Sequence, residues 1–422
     1  MQATDPHRVV EAVWRIEAAR IIAGLARIVQ DVGLAEELAQ DALVAALEQW
    51  PESGVPDNPG AWLMATAKHK AIDVLRRRAA YDRKLVEVGR DIDQRDEPDL
   101  AAAADDYIGD DLLRLIFAAC HPVLSTEARV ALTLRLLGGL TTDEIARALL
   151  VSEPTAAQRI VRAKRTLAAK RVPIELPPPS DIAERLASVL EVIYLIFNEG
   201  YSATAGDDWM RPALCAEALR LGRILAGLLP KEPEVHGLVA LMEIQASRTR
   251  ARTGSSGEPV LLLDQDRRFW DRLLIRRGLE ALDRVEALGG TLGPYALQAA
   301  IAACHARAVT AEDTDWARIA ALYVVLSHVS PSPIVELNRA VAVGMAHGPA
   351  EGLSLVDALV SEPTLAAYPQ LPAVRGDLLA KLGRLDEAKR EFERAAALTR
   401  NERERSVFLA RAMVADSGTT EE

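Results

Sequence analysis

The sequence has few aromatic residues, few cysteines and no long apolar run. Phe, Trp and Tyr make up 4% of the 422 residues, whereas half of the chain is hydrophobic and rich in Ala and Leu, a composition that favours helices over sheets. Cys120, Cys215 and Cys304 lie far apart, which excludes a disulfide scaffold and a cysteine-rich zinc site. The longest nearly uncharged apolar stretch, 319–329, is shorter than the roughly 20 residues of a membrane helix. We expect an all-α cytoplasmic protein without a membrane or export segment.

The patterns of common catalytic and metal sites are also missing. The seven histidines are scattered, without an HExxH motif or another paired ligand spacing. No Gly-rich phosphate loop and no nucleophile elbow occurs. We therefore expect no enzyme activity, no cofactor and no metal.

Charge is distributed unevenly along a chain whose net charge is −11. Residues 62–84 carry a net charge of +5 and residues 145–171 one of +6, while residues 87–111 between them carry −8. This alternation predicts two small basic modules joined by an acidic linker. The proline-rich run 172–180 predicts a stiff spacer, and the sequence after it is typical of successive helices.

The strongest local pattern lies between Leu140 and Lys170 and predicts a helix-turn-helix. Thr141 and Glu144 form a capping box, and Ser152 is placed to cap a second helix. In that second helix the apolar face consists of Ala156, Ile160, Ala163 and Leu167. A second face carries Thr155, Gln158, Arg159 and Arg162. Arg and Gln side chains can bind base edges in the major groove. A solvated basic helix in an ordinary helical hairpin is the alternative.

Two further segments are informative. Near the amino terminus, Trp62 precedes a helix with the cluster 68–70 and the arginines 76–78, and an aromatic residue beside clustered cations suits unpaired DNA. Near the carboxy terminus, Ala388 and Phe392 have the A-x3-F spacing of a tetratricopeptide (TPR) repeat. A degenerate copy with Gly352 and Val356 lies 36 residues earlier.

Taken in order, these segments resemble the extracytoplasmic-function (ECF) sigma factors. AEELAQDALVAALEQW at 35–50 resembles region 2.2, WLMATAKHKAIDVLRRR at 62–78 resembles regions 2.3 and 2.4, and residues 112–170 resemble region 4. FNEGYSA at 197–203 and DQDRRFWD at 264–271 resemble the long TPR-like extension of one ECF subgroup. The resemblance covers nearly the whole chain, in the order of the family.

The resemblance implies a domain layout. It consists of region 2 at 6–85, an acidic linker at 86–107, region 4 at 108–171, a spacer at 172–180, a TPR-like domain at 181–415 and a tail at 416–422.

The resemblance also implies roles for single residues. Binding to the clamp helices of the polymerase β′ subunit falls to Glu37, Leu38, Gln40 and Asp41. Recognition of the −10 element falls to Trp62, Lys68, His69, Lys70, Arg76 and Arg77. Recognition of the −35 element falls to Thr155, Ala157, Gln158, Arg159, Val161 and Arg162. The extension motifs contain residues without an assigned role, which are Asn198, Glu199, Tyr201, Asp264, Asp266, Arg267 and Trp270.

The function implied is promoter-specific initiation with core RNA polymerase, bound through the β′ clamp helices and the β flap. The partners expected are polymerase, promoter DNA, an intramolecular contact between the extension and the sigma modules, and a regulatory protein. The alternative from another class is a stand-alone helix-turn-helix regulator with a ligand- or protein-sensing helical domain. It would bind duplex DNA without polymerase and would not need the basic segment 62–78.

Overall fold

A computed structural model describes residues 6–88, 108–149, 151–201, 210–254, 259–289, 292–399 and 401–418. Within these ranges the chain forms α-helices and short 3-10 turns, with an isolated bridge between Thr253 and Pro259 and no β-strand. The all-α prediction is therefore confirmed. Most of the predicted acidic linker and the end of the tail lie outside the described residues. The chain divides into two compact units, 1–193 and 194–422.

The described residues of the first unit form seven helices and the start of an eighth. They are α1 (Pro6–Val29), α2 (Val32–Ser53), α3 (Pro59–Val88), α4 (Ile108–Ala119), α5 (Thr126–Leu136), α6 (Thr142–Ala148), α7 (Glu153–Ala169) and α8 (Ile182–Tyr201). Helix α3 continues three residues beyond the predicted end of region 2 at 85.

Local sequence explains how the first helices begin and pack. Asp31 caps α2, because its Oδ1 accepts a hydrogen bond of 2.9 Å from the Leu34 amide. Asn58 accepts a similar bond from Ala61 in the first turn of α3. The inner face of α2 consists of fully buried alanines, namely Ala35, Ala39, Ala42 and Ala46. Small side chains at this helical spacing let α1 and α3 approach α2 closely.

The segment after α7, predicted to be a stiff spacer, is attached to the first unit at Ile174. Residues 172–181 are non-helical, as expected, but Ile174 is 3% exposed and its amide donates to Gln30 Oε1 at 3.3 Å. The start of α8 also packs on α4 and α5: Arg185 donates to the Phe117 carbonyl at 2.7 Å and Ser188 Oγ to the Cys120 carbonyl at 2.6 Å. The first compact unit ends at 193, within α8, and so includes the predicted spacer and the start of the predicted TPR-like domain.

The second unit contains the end of α8 and a succession of helices. They are α9 (Pro212–Leu228), α10 (Pro233–Ala246), α11 (Arg272–Leu288), α12 (Pro294–Arg307), α13 (Trp316–Val329), α14 (Pro333–His347), α15 (Pro349–Leu359), α16 (Gln370–Lys381), α17 (Leu385–Leu398) and α18 (Glu402–Gly418). From α12 onward each helix packs on its neighbours along the chain, which is the arrangement of a helical-repeat protein.

The pairs α14–α15 and α16–α17 contain the residues of the predicted repeat. Phe392 and Ala388 of α17 are buried, and a Cβ added at Gly376 of α16 would lie 2.9 Å from the Phe392 ring. In the preceding pair, a Cβ at Gly352 would lie 2.8 Å from both the Ala340 carbonyl oxygen and the Gly344 Cα. Both helix pairs therefore depend on small residues at their closest approach.

Candidate polymerase and promoter interfaces

The acidic face of α2 is split between solvent and the interior. Glu37 and Asp41 are exposed and Gln40 is half-buried, so these three side chains are available to a partner. Leu38 is different: it is 3% exposed and packs in the helical core. A side chain in that position stabilises the fold, so the burial of Leu38 in this arrangement does not agree with its assignment to the polymerase-binding surface.

The neighbouring acid, Glu36, has a role that the sequence analysis missed. Its side chain is 5% exposed, and Oε1 accepts hydrogen bonds from Arg135 Nε at 2.6 Å and Gln40 Nε2 at 2.9 Å. Its other oxygen forms an ion pair with Lys164 of α7. Glu36 thus connects the helix that resembles region 2.2 with α5 and α7 of the helix-turn-helix. In the sequence, the only indication of this role was that Glu36 directly precedes Glu37, the first residue of the predicted polymerase-binding set.

A second buried carboxylate joins the same two modules. Asp111, at the start of α4, is 6% exposed and pairs with Arg27 of α1 at 2.9 Å and with Arg114 at 2.8 Å. The sequence assigned this aspartate to the acidic stretch 87–111, but in the fold it is an interior ion-pair partner. Modules 6–88 and 108–169 therefore contact each other through two paired acids.

The predicted −10 residues lie on α3 in two groups. His69, Arg76 and Arg77 are exposed at helical spacing and share one face. Lys68 and Lys70 are half-buried beside this face, and Lys70 Nζ lies 3.1 Å from the Asp41 carbonyl oxygen and 3.7 Å from its carboxylate.

The aromatic residue of this set, Trp62, packs edge-on against the buried Trp50 with ring centroids 5.4 Å apart. It is half-buried, so part of its ring remains available for stacking.

The helix-turn-helix forms as the sequence predicts. Thr141 and Glu144 make the reciprocal bonds of a capping box, at 2.8 and 3.2 Å, and Ser152 caps α7 through the Thr155 amide. The buried residues of α7 are the predicted Ala156, Ile160, Ala163 and Leu167. These local predictions are confirmed.

The −35 residues face two directions. Gln158 and Arg162 are exposed and Arg159 is half-buried, whereas the Thr155 hydroxyl is 2.8 Å from Ser152 Oγ at the cap. Ala157 and Val161 instead line a groove shared with Glu37 and Gln40 of α2. In this arrangement part of the predicted −35 set lies opposite part of the predicted polymerase-binding set.

The extension motifs contribute mainly to packing. Arg267 is 7% exposed and donates to the carbonyls of His305 and Ala308 at 2.6 and 2.7 Å, and its Cζ lies 4.8 Å from the ring centroid of the buried Trp270. Asp266 caps the short 3-10 turn that begins at Arg267.

The remaining motif residues are dispersed. Glu199 forms an ion pair with Arg211, Asn198 is half-buried near Tyr194, Asp264 is exposed, and Tyr201 borders a cavity.

Two buried titratable groups of the second unit, His305 and Cys215, are held neutral. Burial, with the positive charges of Arg248 and Arg267, lowers the pKa of His305 to about 4, and its ring packs edge-on to Trp316 at 5.1 Å. Burial raises the pKa of the Cys215 thiol to about 12. Within the described ranges no group of His, Cys, Asp and Glu is arranged to hold a metal, and no helix is long and apolar enough to cross a membrane.

Comparison with known proteins gives matches along much of the chain. Residues 16–81 match sigma-70 region 2, and residues 114–167 match sigma-70 region 4. Residues 185–286 match a family of unknown function, DUF6596. An uncharacterized protein of Rhizobium meliloti (strain 1021) is 45% identical over 379 residues, which are 89% of each chain.

Proposed function

Because the chain belongs to the same family as the Rhizobium meliloti protein and its region 2 and region 4 domains make it a sigma factor, we propose that it is of the ECF type, with a TPR-like regulatory extension. A sigma factor binds core RNA polymerase and promoter DNA and directs initiation. The ECF assignment is supported by the short separation of the two matched regions: only residues 82–113 lie between them, which leaves no space for a third sigma domain. The proposed place of action is the cytoplasm.

The proposed contacts follow from exposure and charge. Glu37, Gln40 and Asp41 would bind the clamp helices of polymerase, and region 4 would bind the β flap. On α3, His69, Arg76 and Arg77 would contact the −10 element, flanked by Trp62, Lys68 and Lys70. A flipped base must be stabilised by a few kcal/mol of new contacts, which the half-buried Trp62 ring and nearby cations could supply. On α7, Gln158, Arg159 and Arg162 would bind the −35 element. The single observation that carries the proposed function is that this capped, basic helix is joined to a region 2 domain in the same chain.

We further infer that the arrangement in the structure is a closed form of the free protein. The support is geometric: Ala157 and Val161 share a groove with Glu37 and Gln40, and the buried Glu36 holds Arg135 and Lys164 at its floor. Clamp helices that dock on Glu37 would need this groove to open. Opening of the groove and binding of polymerase are then linked equilibria. Stable ion pairs between Glu36 and its partners Arg135 and Lys164 therefore lower the apparent affinity of the free chain for polymerase.

The extension is proposed to regulate the two sigma modules in cis. Covalent attachment gives such a contact a high effective concentration. A chain cut at Arg171 would be a poor test, because it lacks Ile174 and Ser188, which pack in the first unit. The informative truncation ends at Ile193, where the first compact unit ends. Unchanged promoter activity of that truncated chain in vitro and in cells would contradict regulation by the extension.

The experiment that tests the function is run-off transcription with bacterial core polymerase. The template is a library with randomised −35 and −10 elements, and core polymerase alone is the control. Transcripts enriched for two short motifs at a fixed spacing are expected. The stand-alone regulator instead predicts no added transcript, together with tight duplex binding in the absence of polymerase; the presence of a region 2 domain disfavours it.

A further inference from the structure

The second unit contains a cavity of about 630 Å³ that no part of the proposed function uses. One wall is formed by Tyr201 at the end of α8 and by Arg248 and Arg252 after α10; the opposite wall includes Tyr368 and the first turns of α18. All of its lining residues belong to the same compact unit. The cavity is within the range of small-molecule sites, which is roughly 300–1,000 Å³.

Two cations stand side by side on the first wall. Arg252 is 8% exposed, lies with Cζ 3.4 Å from the Tyr201 ring centroid and donates to the Tyr201 carbonyl at 2.7 Å. Arg248 is half-buried, with Cζ 5.8 Å from the ring centroids of both Tyr201 and Trp270. Among the described residues no carboxylate forms an ion pair with Arg248.

The electrostatics of this pair favour an anion. Burial, together with repulsion by Arg248, lowers the pKa of Arg252 to about 10. Among the described lining residues the one carboxylate is that of Glu404, which is already engaged by Gln370 and by Thr399. A negative group placed between Arg248 and Arg252 would relieve their repulsion and form charge-assisted hydrogen bonds.

Other polar atoms around the cavity lack partners in the described part of the chain. Gln265 Oε1, Asn401 Nδ2 and Arg248 Nε are buried without a hydrogen bond, although each residue lines the cavity. Buried polar atoms are usually satisfied, and an unsatisfied one costs about 1–3 kcal/mol. A polar ligand could satisfy such groups.

An apolar strip of the lining continues into a second cavity of about 760 Å³. The two cavities share Pro259, Val260, Leu261 and Val407. The second one is lined mostly by apolar side chains, including Leu385 and Phe392, with Asp264, Arg403 and Arg411 as its charged residues. Arg411 is already paired with Asp377. A molecule that spans both would therefore meet Arg248 and Arg252 at one end and a mostly apolar lining along the rest of its length.

We propose that this double cavity of the extension binds a small amphipathic anion, with a carboxylate or phosphate head between Arg248 and Arg252 and an apolar body along Leu261 and Val407. Because the cavity is bounded by α8 and the segment after α10 on one side and by α16 and α18 on the other, a bound ligand would stabilise these parts of the second unit together. This inference does not depend on the promoter function.

The test is calorimetric titration of the full chain with four matched probes below their micelle concentrations. Octanoate and octyl phosphate carry the two anionic heads, octanol is neutral and octylamine is cationic. We expect one molecule of an anionic probe to bind at least about tenfold more tightly than octanol, because charge-assisted hydrogen bonds are lost in the alcohol. The tighter of the two anions identifies the head group, and octylamine should bind most weakly.

Two variants make the result specific. Arg248→Gln should weaken the anionic probe about tenfold while leaving octanol within about twofold. Arg276→Gln removes the same charge from an exposed arginine, 68% exposed on α11, and should bind both probes like the parent chain. Circular dichroism checks that both variants fold. Equal affinity for octanoate, octanol and octylamine, absence of binding by every probe, or an equal loss for both probes in Arg248→Gln would overturn the proposal.

Discussion

Glu36 offers the sharpest test of the contact between region 2 and region 4. Glu36→Gln keeps the size of the side chain and removes the charge that Arg135 and Lys164 share. Removing one partner of a buried ion pair costs about 3–5 kcal/mol when the other stays buried. Here both cations have 23% exposed side chains, so they regain part of their hydration, and the amide keeps one acceptor. We therefore expect a loss of about 2–3 kcal/mol.

Differential scanning calorimetry of the full chain measures this loss. For a unit of this size, 1 kcal/mol corresponds to about 2–4 °C, so the transition of the first unit should fall by roughly 4–12 °C. Glu37→Gln is the matched control, since this exposed neighbour should change the transition by less than about 2 °C. A double-mutant cycle with Lys164→Met should give a coupling energy of about 1–3 kcal/mol.

The same variant separates the closed form from simple structural damage. If the ion pairs of Glu36 must break before polymerase binds, the Glu36→Gln chain should be less stable and yet bind core polymerase more tightly. A loss of about 2 kcal/mol from the closed form corresponds to an affinity up to about 30-fold higher. Fluorescence titration with labelled core polymerase measures this affinity. A transition temperature unchanged within 1 °C, or additive effects of the two substitutions, would refute the ion-pair reasoning; lower polymerase affinity would refute the closed form.

Three further predictions concern other parts of the chain. Arg159→Ala should cost about 1–3 kcal/mol and relax the preference at one −35 position in selected promoters, whereas an equal loss on all sequences would make it a phosphate contact. The pKa of His305 falls from 6.5 to about 4 on folding, so between these pH values the unfolded chain binds a proton that the folded chain does not. The free energy of unfolding should therefore decrease by about 3 kcal/mol as pH falls from 6.5 to 4. In urea titrations at several pH values, His305→Gln should show a smaller change of stability with pH, and an identical change would contradict this. Gly376→Ala should lower stability by about 1–3 kcal/mol because its Cβ would meet Phe392; Gly227→Ala, with no atom within 4 Å of its Cβ, should not, and equal effects would exclude the steric explanation.

Local features of the fold could be predicted from the sequence because their causes lie within a few residues. The capping box of Thr141 and Glu144 needs only the turn between them, and the buried face of α7 follows from its periodicity. The close approach of α16 and α17 was indicated by Ala388 and Phe392, whose spacing puts both on one helix face. The order of such segments, more than any one of them, indicated the sigma factor.

Features that join distant segments required the tertiary structure. Nothing near Leu38 distinguishes it from an exposed leucine, and its burial depends on how α2 meets the rest of the first unit. Glu36 pairs with Arg135, 99 residues later, and the local pattern of α2 shows only an acidic face. Ile174 likewise packs near Gln30, although the prolines of its segment, 172–180, predict only an extended spacer.

The cavity of the extension shows the same division. The sequence alone showed that DQDRRFWD resembles a motif of the TPR-like extension, and it named Tyr201 and Trp270 as motif residues without an assigned role. Only the fold brought Tyr201, Arg248 and Arg252 to one wall and the start of α18 to the other. Helix starts, caps and buried faces are decided by neighbours along the chain, whereas burial of a charge and the partner that compensates it are decided by packing between segments far apart in sequence.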